Sequence, residues 1–307
     1  MLGYALRRLL GSLPTLLAIV TLAFFMMRLA PGGPFTLDRS LPPAIEKNLL
    51  AAYRLDQPLW RQYLDYLAGL LRGDLGPSFK YQDFTVAELI ATGFPASLKV
   101  GGLALLVAVF VGVGLGTLAA LRRNGRLDHA VMALAMVGIA VPNFVMAPIL
   151  ALLFGVHLAW LPVGGWGDGG LRNLVLPVTA LALPQIAYIA RLTRGAMIEE
   201  LHRDHVRTAR AKGLGERIVV VRHTLRGGLL PVVSYLGPAT AGLVTGSVVI
   251  ETIFAIPGIG RYFVQGALNR DYTLVMGVVI FYAVLIILLN LLVDLLYCVL
   301  DPKVKHD

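Results

Sequence analysis

The chain has 307 residues, of which 57% are hydrophobic and 15% are charged. This composition is too apolar for a soluble globular domain and indicates an integral membrane protein. The formal net charge of +9 does not indicate nucleic-acid binding here. The Lys and Arg residues cluster in short loops between apolar runs, and aromatic residues do not interleave with them as a base-stacking platform requires. The single cysteine, Cys298, excludes a disulfide framework and a thiolate metal site.

Apolar runs long enough to cross about 30 Å of hydrocarbon as helices recur along the whole chain. They cover residues 9–29, 97–121, 129–158, 174–192, 229–254 and 273–299. A cleaved signal peptide is the alternative for the first run. That run is long, lacks a small-x-small cleavage site and is followed by further spans, which argues against it. The sequence therefore predicts an all-α membrane protein with six transmembrane helices.

The basic residues predict which side of the membrane each loop occupies. Arg7 and Arg8 precede the first span and place the amino terminus in the cytosol, so six spans return the carboxy terminus to the same side. Three parts follow from this topology. Residues 1–29 are a cytoplasmic start with the first span, and 30–95 are a helical insertion outside the membrane. Residues 96–307 are a core of five spans with a cytoplasmic loop at 193–228.

The insertion at 30–95 predicts two helices. Ile45, Leu49 and Tyr53 recur at helical spacing, and Asp56 with Pro58 suits the start of a second helix. Packing of these helices on each other and on the membrane core is the favoured interpretation, with a peptide-binding surface as the alternative.

Two prolines interrupt the third span, Pro142 and Pro148. Each removes a backbone donor and bends a helix. A static packing kink and a bend beside a translocation path explain them equally well.

Polar residues in the last two spans allow more than one interpretation. Glu251 begins a run that contains Pro257, Gly258 and Gly260. An acid near membrane depth suggests function, but a glutamate at the outer interface, paired with Arg261 or a backbone amide, is the favoured interpretation. In the sixth span we interpret Asn290 and Asp294 as ties between helices rather than proton carriers.

The loop after the fourth span is the longest strongly basic polar segment. Residues 194–228 hold eight Lys or Arg against four Asp or Glu. Asp204 is a candidate cap for a first short helix, and Gly213 provides the left-handed residue that ends it. Gly215 and Glu216 suit the start of a second helix.

The junction of these two helices, residues 207–214, is called the elbow below. Its small residues Ala209, Ala211 and Gly213 would let another protein approach the backbone closely. The elbow therefore predicts a docking surface rather than a catalytic pocket. An ordinary basic loop on the cytosolic side is the alternative.

The elbow resembles the cytosolic signature of binding-protein-dependent ABC importer permeases, Glu-Ala-Ala-x3-Gly-x9-Ile-x-Leu-Pro. Ala209, Gly213 and Leu225 match it. The departures, which are usual in the peptide-permease branch of that family, are Arg207, Thr208, His223 and Arg226. The amino-terminal Arg-Arg-Leu-Leu start, the outer turns at 31–35 and 73–81, the 251–260 run and the carboxy-terminal Asp-Pro-Lys also resemble the oligopeptide branch.

This resemblance implies a type I ABC importer permease in the bacterial inner membrane. Its elbow would be the coupling helix that enters a groove of the ATPase, formed by Arg207, Thr208, Ala209, Arg210, Ala211, Lys212, Gly213 and Leu214. Glu251, Pro257, Gly258 and Gly260 would lie toward the external gate and the docked binding protein. The implied partners are a second, related permease, two ATPase subunits and an external peptide-binding protein.

The sequence lacks a phosphate-binding Gly-x4-Gly-Lys-Ser/Thr loop, so ATP and Mg²⁺ are expected on the partner ATPases and no cofactor on this chain. We nominate no catalytic residue and no metal site, since the pair His202 and His205 is weak evidence for one.

The resemblance to the oligopeptide branch implies oligopeptides as the substrate. Dipeptides, glutathione or nickel are the alternative substrates within the same family. Outside this class, a proton-driven transporter using Glu251 or Asp294 lacks a visible inverted repeat, and a non-transporting scaffold is weaker still.

Overall fold

The computed structural model describes residues 2–29, 33, 43–81 and 83–300. Within these ranges the chain is built from helices joined by short loops. They are α1 Leu2–Leu29, α2 Pro43–Ala52, α3 Leu59–Leu71, α4 Val86–Leu121, α5 Arg126–Ala140, α6 Asn143–Leu150, α7 Leu171–Leu201, α8 Asp204–Ala211, α9 Glu216–Ile218, α10 Leu225–Gly228, α11 Leu230–Ile253, α12 Ile259–Leu268 and α13 Tyr272–Leu300. Ala151–His157 and Val219–Thr224 are π-helical.

The predicted all-α, multi-span architecture is confirmed. Helices α1, α4, α7, α11 and α13 are each long and apolar enough to cross a membrane. The pair formed by α5 and by residues 143–157 passes the same test together, although it is bent by 105°. The part of the chain that the structure describes therefore has five such helices, or six if the bent pair forms one span.

The break in the third span lies at Pro142. This residue has an extended backbone, with φ −59° and ψ 145°, and precedes the first residue of α6. Because proline cannot donate the hydrogen bond that continuation of α5 needs, the helix ends at Ala140 and restarts in a new direction. Pro148 lies inside α6.

Several spans are longer than the apolar pattern predicts, and α4 and α7 differ from it most. Helix α4 begins at Val86 rather than at 97, behind a capping box in which Thr85 N donates to Glu88 Oε2 at 2.8 Å and Glu88 N donates to Thr85 Oγ1. Helix α7 continues past 192 to Leu201. Hydropathy locates the membrane-embedded part of a helix, whereas capping and local packing decide where the helix ends.

The chain forms two compact units. The first comprises residues 1–10, 98–256 and 286–307. In it, α5, α6 and α11 pack against α7. Helix α4 also approaches α7 closely, because a Cβ at Gly112 would lie 2.8 Å from the Ile189 side chain and a Cβ at Gly116 would overlap the Ala190 carbonyl oxygen.

Asn290 and Asp294 face neighbouring helices of the first unit, as interpreted. Arg8 Nε donates to Asp294 Oδ2 at 2.9 Å, which joins α13 to α1. On α11, a Cβ at Gly237 would overlap Asn290 Oδ1.

The second unit comprises residues 11–97 and 257–285. Its buried core joins α4, α12 and α13 through Val86, Leu89, Ile90, Ile259, Tyr262, Leu274 and Val278. Helix α3 packs on α1 through Tyr63, whose ring centroid lies 5.3 Å from that of Phe24. Both helices predicted between 43 and 71 are present, and Pro58 immediately precedes α3 as expected.

Some sequence-based predictions fall outside the described residues. They are the turn at 31–35, apart from Gly33, and the carboxy-terminal Asp-Pro-Lys. The division into 1–29, 30–95 and 96–307 stays a prediction.

Candidate functional site

The elbow is built on the end of α7. After Leu201 the chain turns through His202 and Arg203 into α8. The predicted cap at Asp204 is wrong, because the extended residue before the helix is Arg203 and Asp204 is the first helical residue. A carboxylate in the first helical turn still favours the helix, since it faces the positive end of the helix dipole.

Gly213 ends α8 as predicted. Its backbone has φ +74°, and its N–H donates to Arg210 O at 2.9 Å. This left-handed conformation favours glycine over residues with a Cβ. No atom lies within 4 Å of the position that a Cβ on Gly213 would occupy, so the surface beside it is open. The second helix starts at Glu216 after an extended Gly215, also as predicted.

The inner face of the elbow packs on the returning chain. Val206, Ala209 and Val219 form a buried cluster, with Val206 and Val219 fully buried. Ala209 is therefore not part of the small-sided docking face that the sequence suggested. The small side chain there lets α8 approach the π-helical segment closely.

The outer face of the elbow is exposed and positively charged. The exposed residues among those predicted for docking are Arg207, Thr208, Arg210, Ala211, Lys212, Gly213 and Leu214. Arg210 Nη2 donates to Glu216 Oε1 at 2.6 Å, and Arg210 Nε donates to Glu216 Oε2 at 3.2 Å. The guanidinium holds the pKa of Glu216 below its usual range, and the carboxylate raises the pKa of Arg210. This pair links α8 to α9 across the Gly213 turn.

Glu200, which sequence reasoning missed, anchors the base of the elbow. Its nearly buried carboxylate lies 2.9 Å from Arg203 Nε and 3.3 Å from His205 Nε2. His205 Nε2 also lies 3.1 Å from the His223 carbonyl oxygen. A Cβ at Gly227 would lie 2.5 Å from Glu200 Cδ. Glu200, at the end of α7, thus contacts the turn at Arg203, the start of α8 and the chain that returns to α11.

The returning chain is held by a second buried cluster of Ala120, Met197 and Val220. Thr224 is fully buried, and its hydroxyl donates to Val219 O at 3.1 Å, which satisfies it within the π-helical turn. The elbow is therefore attached to α4 and α7 by apolar contacts and is not a loosely tethered loop.

A second missed feature is an ion pair between α5 and α7. Asp128 on α5 is 1% exposed and receives two hydrogen bonds from Arg194, one of 2.5 Å from Nε and one of 2.7 Å from Nη2. Asn124 N donates to the same carboxylate at 2.8 Å. The pair joins the loop before α5 to the helix that carries the elbow.

The remaining candidate residues lie elsewhere in the two units. Glu251, near the end of α11, is fully buried, and its expected position at the outer interface stays a prediction. Gly258 is the residue before α12, Pro257 is half-buried, and Gly258 and Gly260 are buried. Ile259 N donates to Ser97 Oγ at 2.9 Å, which fixes the start of α12.

His202 and His205 do not form a metal centre with their neighbours. His202 Nδ1 lies 2.6 Å from the Ile198 carbonyl oxygen, so this nitrogen is engaged with the backbone. Across the described ranges 2–29, 33, 43–81 and 83–300, no group of three or more His, Cys, Asp or Glu side chains is arranged to hold a metal ion.

The sequence of the chain is similar to a known protein family and to individual permeases. Residues 112–306 match the family model described as "Binding-protein-dependent transport system inner membrane component". The chain is 54% identical to the "Oligopeptide transport system permease protein OppB" of Salmonella typhimurium, with 100% of both chains covered. It is 46% identical to the "Dipeptide transport system permease protein DppB" of Bacillus subtilis, with 99% of this chain and 98% of the relative covered.

Solved structures share the fold. A chain of the inward-facing MetNI methionine ABC transporter superposes with a TM-score of 0.57 at 18% identity, covering 69% of this chain and 96% of that one. At this identity the likeness concerns the fold.

Proposed function

The chain belongs to the family of binding-protein-dependent transport system inner membrane components, and from this premise we propose that it is a permease subunit of an ATP-driven oligopeptide importer. The observation that carries the proposal is the 54% identity to an oligopeptide permease over the whole length of both chains. The chain is a multi-pass inner-membrane protein, and its relatives are permease subunits rather than enzymes.

The complex that we propose contains this chain, a second related permease, two ATPase subunits and an external peptide-binding protein. ATP and Mg²⁺ are bound by the ATPases in this proposal, and the present chain holds no cofactor. The translocation path runs between the two permeases, so this chain forms half of it.

The coupling contact in this proposal is the outer face of the elbow, residues 207–214. Its support is threefold: exposed positive side chains, an open surface at Gly213 and firm attachment to α4 and α7 through buried clusters. Because the elbow is rigidly attached to the spans, a movement of the docked ATPase can be transmitted to them, whereas a flexible loop would not transmit it. The elbow lies in the cytosol, and both termini lie on the same side.

We assign the remaining candidate residues to the external gate and to the translocation path. We assign Glu251, Pro257, Gly258 and Gly260 to the external gate, because burial of three of them favours a role inside the protein over direct contact with the binding protein. The bend at Pro142, with Pro148 in the following helix, lies beside the path. ATP binding closes the ATPases, moves the elbow and turns the spans from inward-open to outward-open.

Dipeptide import is a second candidate function. The 46% identity to the Bacillus subtilis relative, whose name specifies dipeptides, supports it. Oligopeptides are favoured because the identity to the oligopeptide relative is higher.

The test is ATP-dependent peptide uptake by the full complex in proteoliposomes, comparing wild type with Gly213→Trp. The indole ring of Trp would collide with a closely docked partner, and a Cβ at this position also strains the left-handed backbone. We expect normal assembly of the spans but loss of uptake and of ATPase stimulation by the loaded binding protein. Gly213→Asn is the matched control, because asparagine tolerates φ +74° and adds little volume.

Normal transport by the Trp variant would refute the coupling assignment. Uptake that persists without the ATPases would refute the importer assignment and favour a proton-driven transporter.

A further inference from the structure

One face of the packed helices α7 and α11, both in the first unit, carries polar side chains within apolar spans. On α7, Gln185, Tyr188 and Arg191 follow each other at three-residue spacing, which places them on one side of the helix. On α11, Tyr235 reaches this face through contacts with α7, and the exposed Ser234 precedes it in the sequence. We call these five residues the polar face. Tyr188 is 41% exposed, and Arg191 and Ser234 are also exposed.

Direct contacts connect the two helices across the polar face. Tyr235 Oη donates to Gln185 Oε1 at 2.9 Å, and the ring centroids of Tyr188 and Tyr235 lie 5.7 Å apart. The hydrogen bond fixes the Gln185 amide with its carbonyl oxygen occupied. A Cβ at Gly242 would lie 3.1 Å from Gln185 Nε2, so the bare backbone of α11 borders this amide.

Several polar groups of this face have no partner among the described residues. No described side chain or backbone group pairs with the Arg191 guanidinium or accepts a hydrogen bond from the Tyr188 hydroxyl. Arg191 lies near the cytosolic end of the apolar run 174–192, where its guanidinium reaches water at small cost. The exposed Tyr188 lies about one helical turn further into the run. Polar groups that continue from the end of a span toward its interior suit a water-filled path better than lipid.

We propose that the polar face binds the peptide during its passage, with Arg191 attracting the peptide's carboxy-terminal carboxylate. This inference rests on the proposed function and specifies where in this chain the peptide is held. Every peptide, whatever its sequence, has backbone amides and a terminal carboxylate. The Gln185 amide and the tyrosine hydroxyls match the amides, and a guanidinium matches the carboxylate through charge-assisted hydrogen bonds.

The chemistry of the face argues against a helix of the second permease as its occupant. Helix pairs in membranes pack through small residues and mutually satisfied polar groups. The exposed Arg191 and Tyr188 instead offer unsatisfied donors, and Tyr188 and Tyr235 add bulky rings. Such a surface suits a mobile polar ligand that binds weakly and leaves.

The experiment uses thiol accessibility in the full complex with its loaded binding protein. Ser234→Cys and Tyr188→Cys are introduced singly into a Cys298→Ser background. Ser234→Cys replaces only one oxygen by sulfur, so it still reports the accessibility of the polar face if the tyrosine variant folds poorly. The control is Val175→Cys, on the same helix and 43% exposed but about 140° around the helix from Tyr188.

We expect a water-soluble thiol reagent to label positions 188 and 234 but not 175, and a saturating pentapeptide to slow labelling at the first two. In the Ser234→Cys background, Arg191→Gln should raise the peptide concentration needed for half-protection about tenfold. The same substitution should leave protection by the C-terminally amidated pentapeptide unchanged.

Absence of labelling at positions 188 and 234, or labelling that the peptide does not slow, would overturn the proposal. An equal effect of Arg191→Gln on the free and amidated peptides would overturn the assignment of Arg191. Wild-type uptake is measured in parallel. A wild-type complex that imports peptide while the polar face is unprotected refutes this inference alone, whereas a wild-type complex without uptake refutes the proposed function.

Discussion

At the residue scale, one ion pair joins the two helices of the elbow across its glycine turn. Arg210 and Glu216 are 42% and 56% exposed in their side chains, so water and salt screen their attraction. The bidentate geometry nevertheless lowers the pKa of Glu216 from its ordinary value of 4.5. The pair therefore stabilises the folded elbow above that pH, and the contribution is lost as the pH falls through the lowered pKa.

Glu216→Gln should speed amide hydrogen exchange in residues 209–216 at pH 7. The local opening free energy should fall by less than about 1 kcal/mol, because the ion pair is exposed. The difference should shrink as the pH falls below 4.5, after correction for intrinsic exchange, and in about 1 M salt, because protonation or screening weakens the attraction in the wild type. Glu199→Gln, at an exposed glutamate of the preceding helix, is the control and should change nothing. Equal exchange in wild type and variant at pH 7 would contradict the prediction.

At the element scale, single carboxylates join helices that are distant in sequence. In the second unit, the fully buried Asp271 accepts hydrogen bonds from the Ser78 hydroxyl, from Phe79 N at 3.2 Å and from Leu274 N at 3.2 Å. It therefore caps α13 and also holds the turn that follows Gly76. In the first unit, Asp128 similarly joins α5 to α7 through Arg194.

Asp271→Ala should destabilise the second unit by about 2–3 kcal/mol, because several buried donors lose their charged acceptor. The measurement is thermal unfolding of the purified complex together with limited proteolysis between residues 73 and 85, which should become faster. Asp83→Asn is the control, since Asp83 is exposed in the same turn and asparagine tolerates its φ of +64°. Unchanged proteolysis in the Asp271 variant would show that other contacts hold the turn.

Asp128→Ala should cost about 3 kcal/mol in the same unfolding assay, because it leaves the Arg194 charge without its partner. The double variant Asp128→Leu with Arg194→Met should recover most of this loss, since an apolar pair avoids the desolvation cost of both charges. A double variant as unstable as the sum of its single variants would show that the ion pair itself is required.

At the scale of the whole molecule, the distribution of charge predicts the topology. The elbow and both termini should lie in the cytosol, and the turn between α2 and α3 should lie outside. A reporter enzyme that is active only outside the cytosol should therefore work when inserted after Gln57 and fail when inserted after Gly215. A reporter that is active only in the cytosol should give the opposite pattern. If both reporters show the reverse, the orientation predicted here is wrong.

Much of the fold could be predicted because its signals are local. Apolar runs of sufficient length predict the spans, Pro58 predicts the start of α3, and Gly213 predicts the end of α8 through its left-handed backbone. Helix ends were less predictable. The start of α4 depends on the Thr85 and Glu88 capping box rather than on hydropathy.

The candidate site was predicted in position but not in its internal contacts. The motif located the elbow, but periodicity did not show that Ala209 faces inward against Val219. Glu200 could have been noticed from its spacing to Arg203, but its contact with His205 depends on the path of the chain around the turn.

The sequence by itself determined that this chain is helical, crosses the membrane repeatedly and carries a basic elbow bounded by Gly213. Composition, hydropathy and turn chemistry act over a few neighbouring residues, so they are visible in the linear chain. Only the tertiary structure decided that Arg194 meets Asp128, 66 positions away, and that Ser78 meets Asp271, 193 positions away. Burial of a charge is tolerated only where a partner is brought to it, and that depends on how distant helices pack.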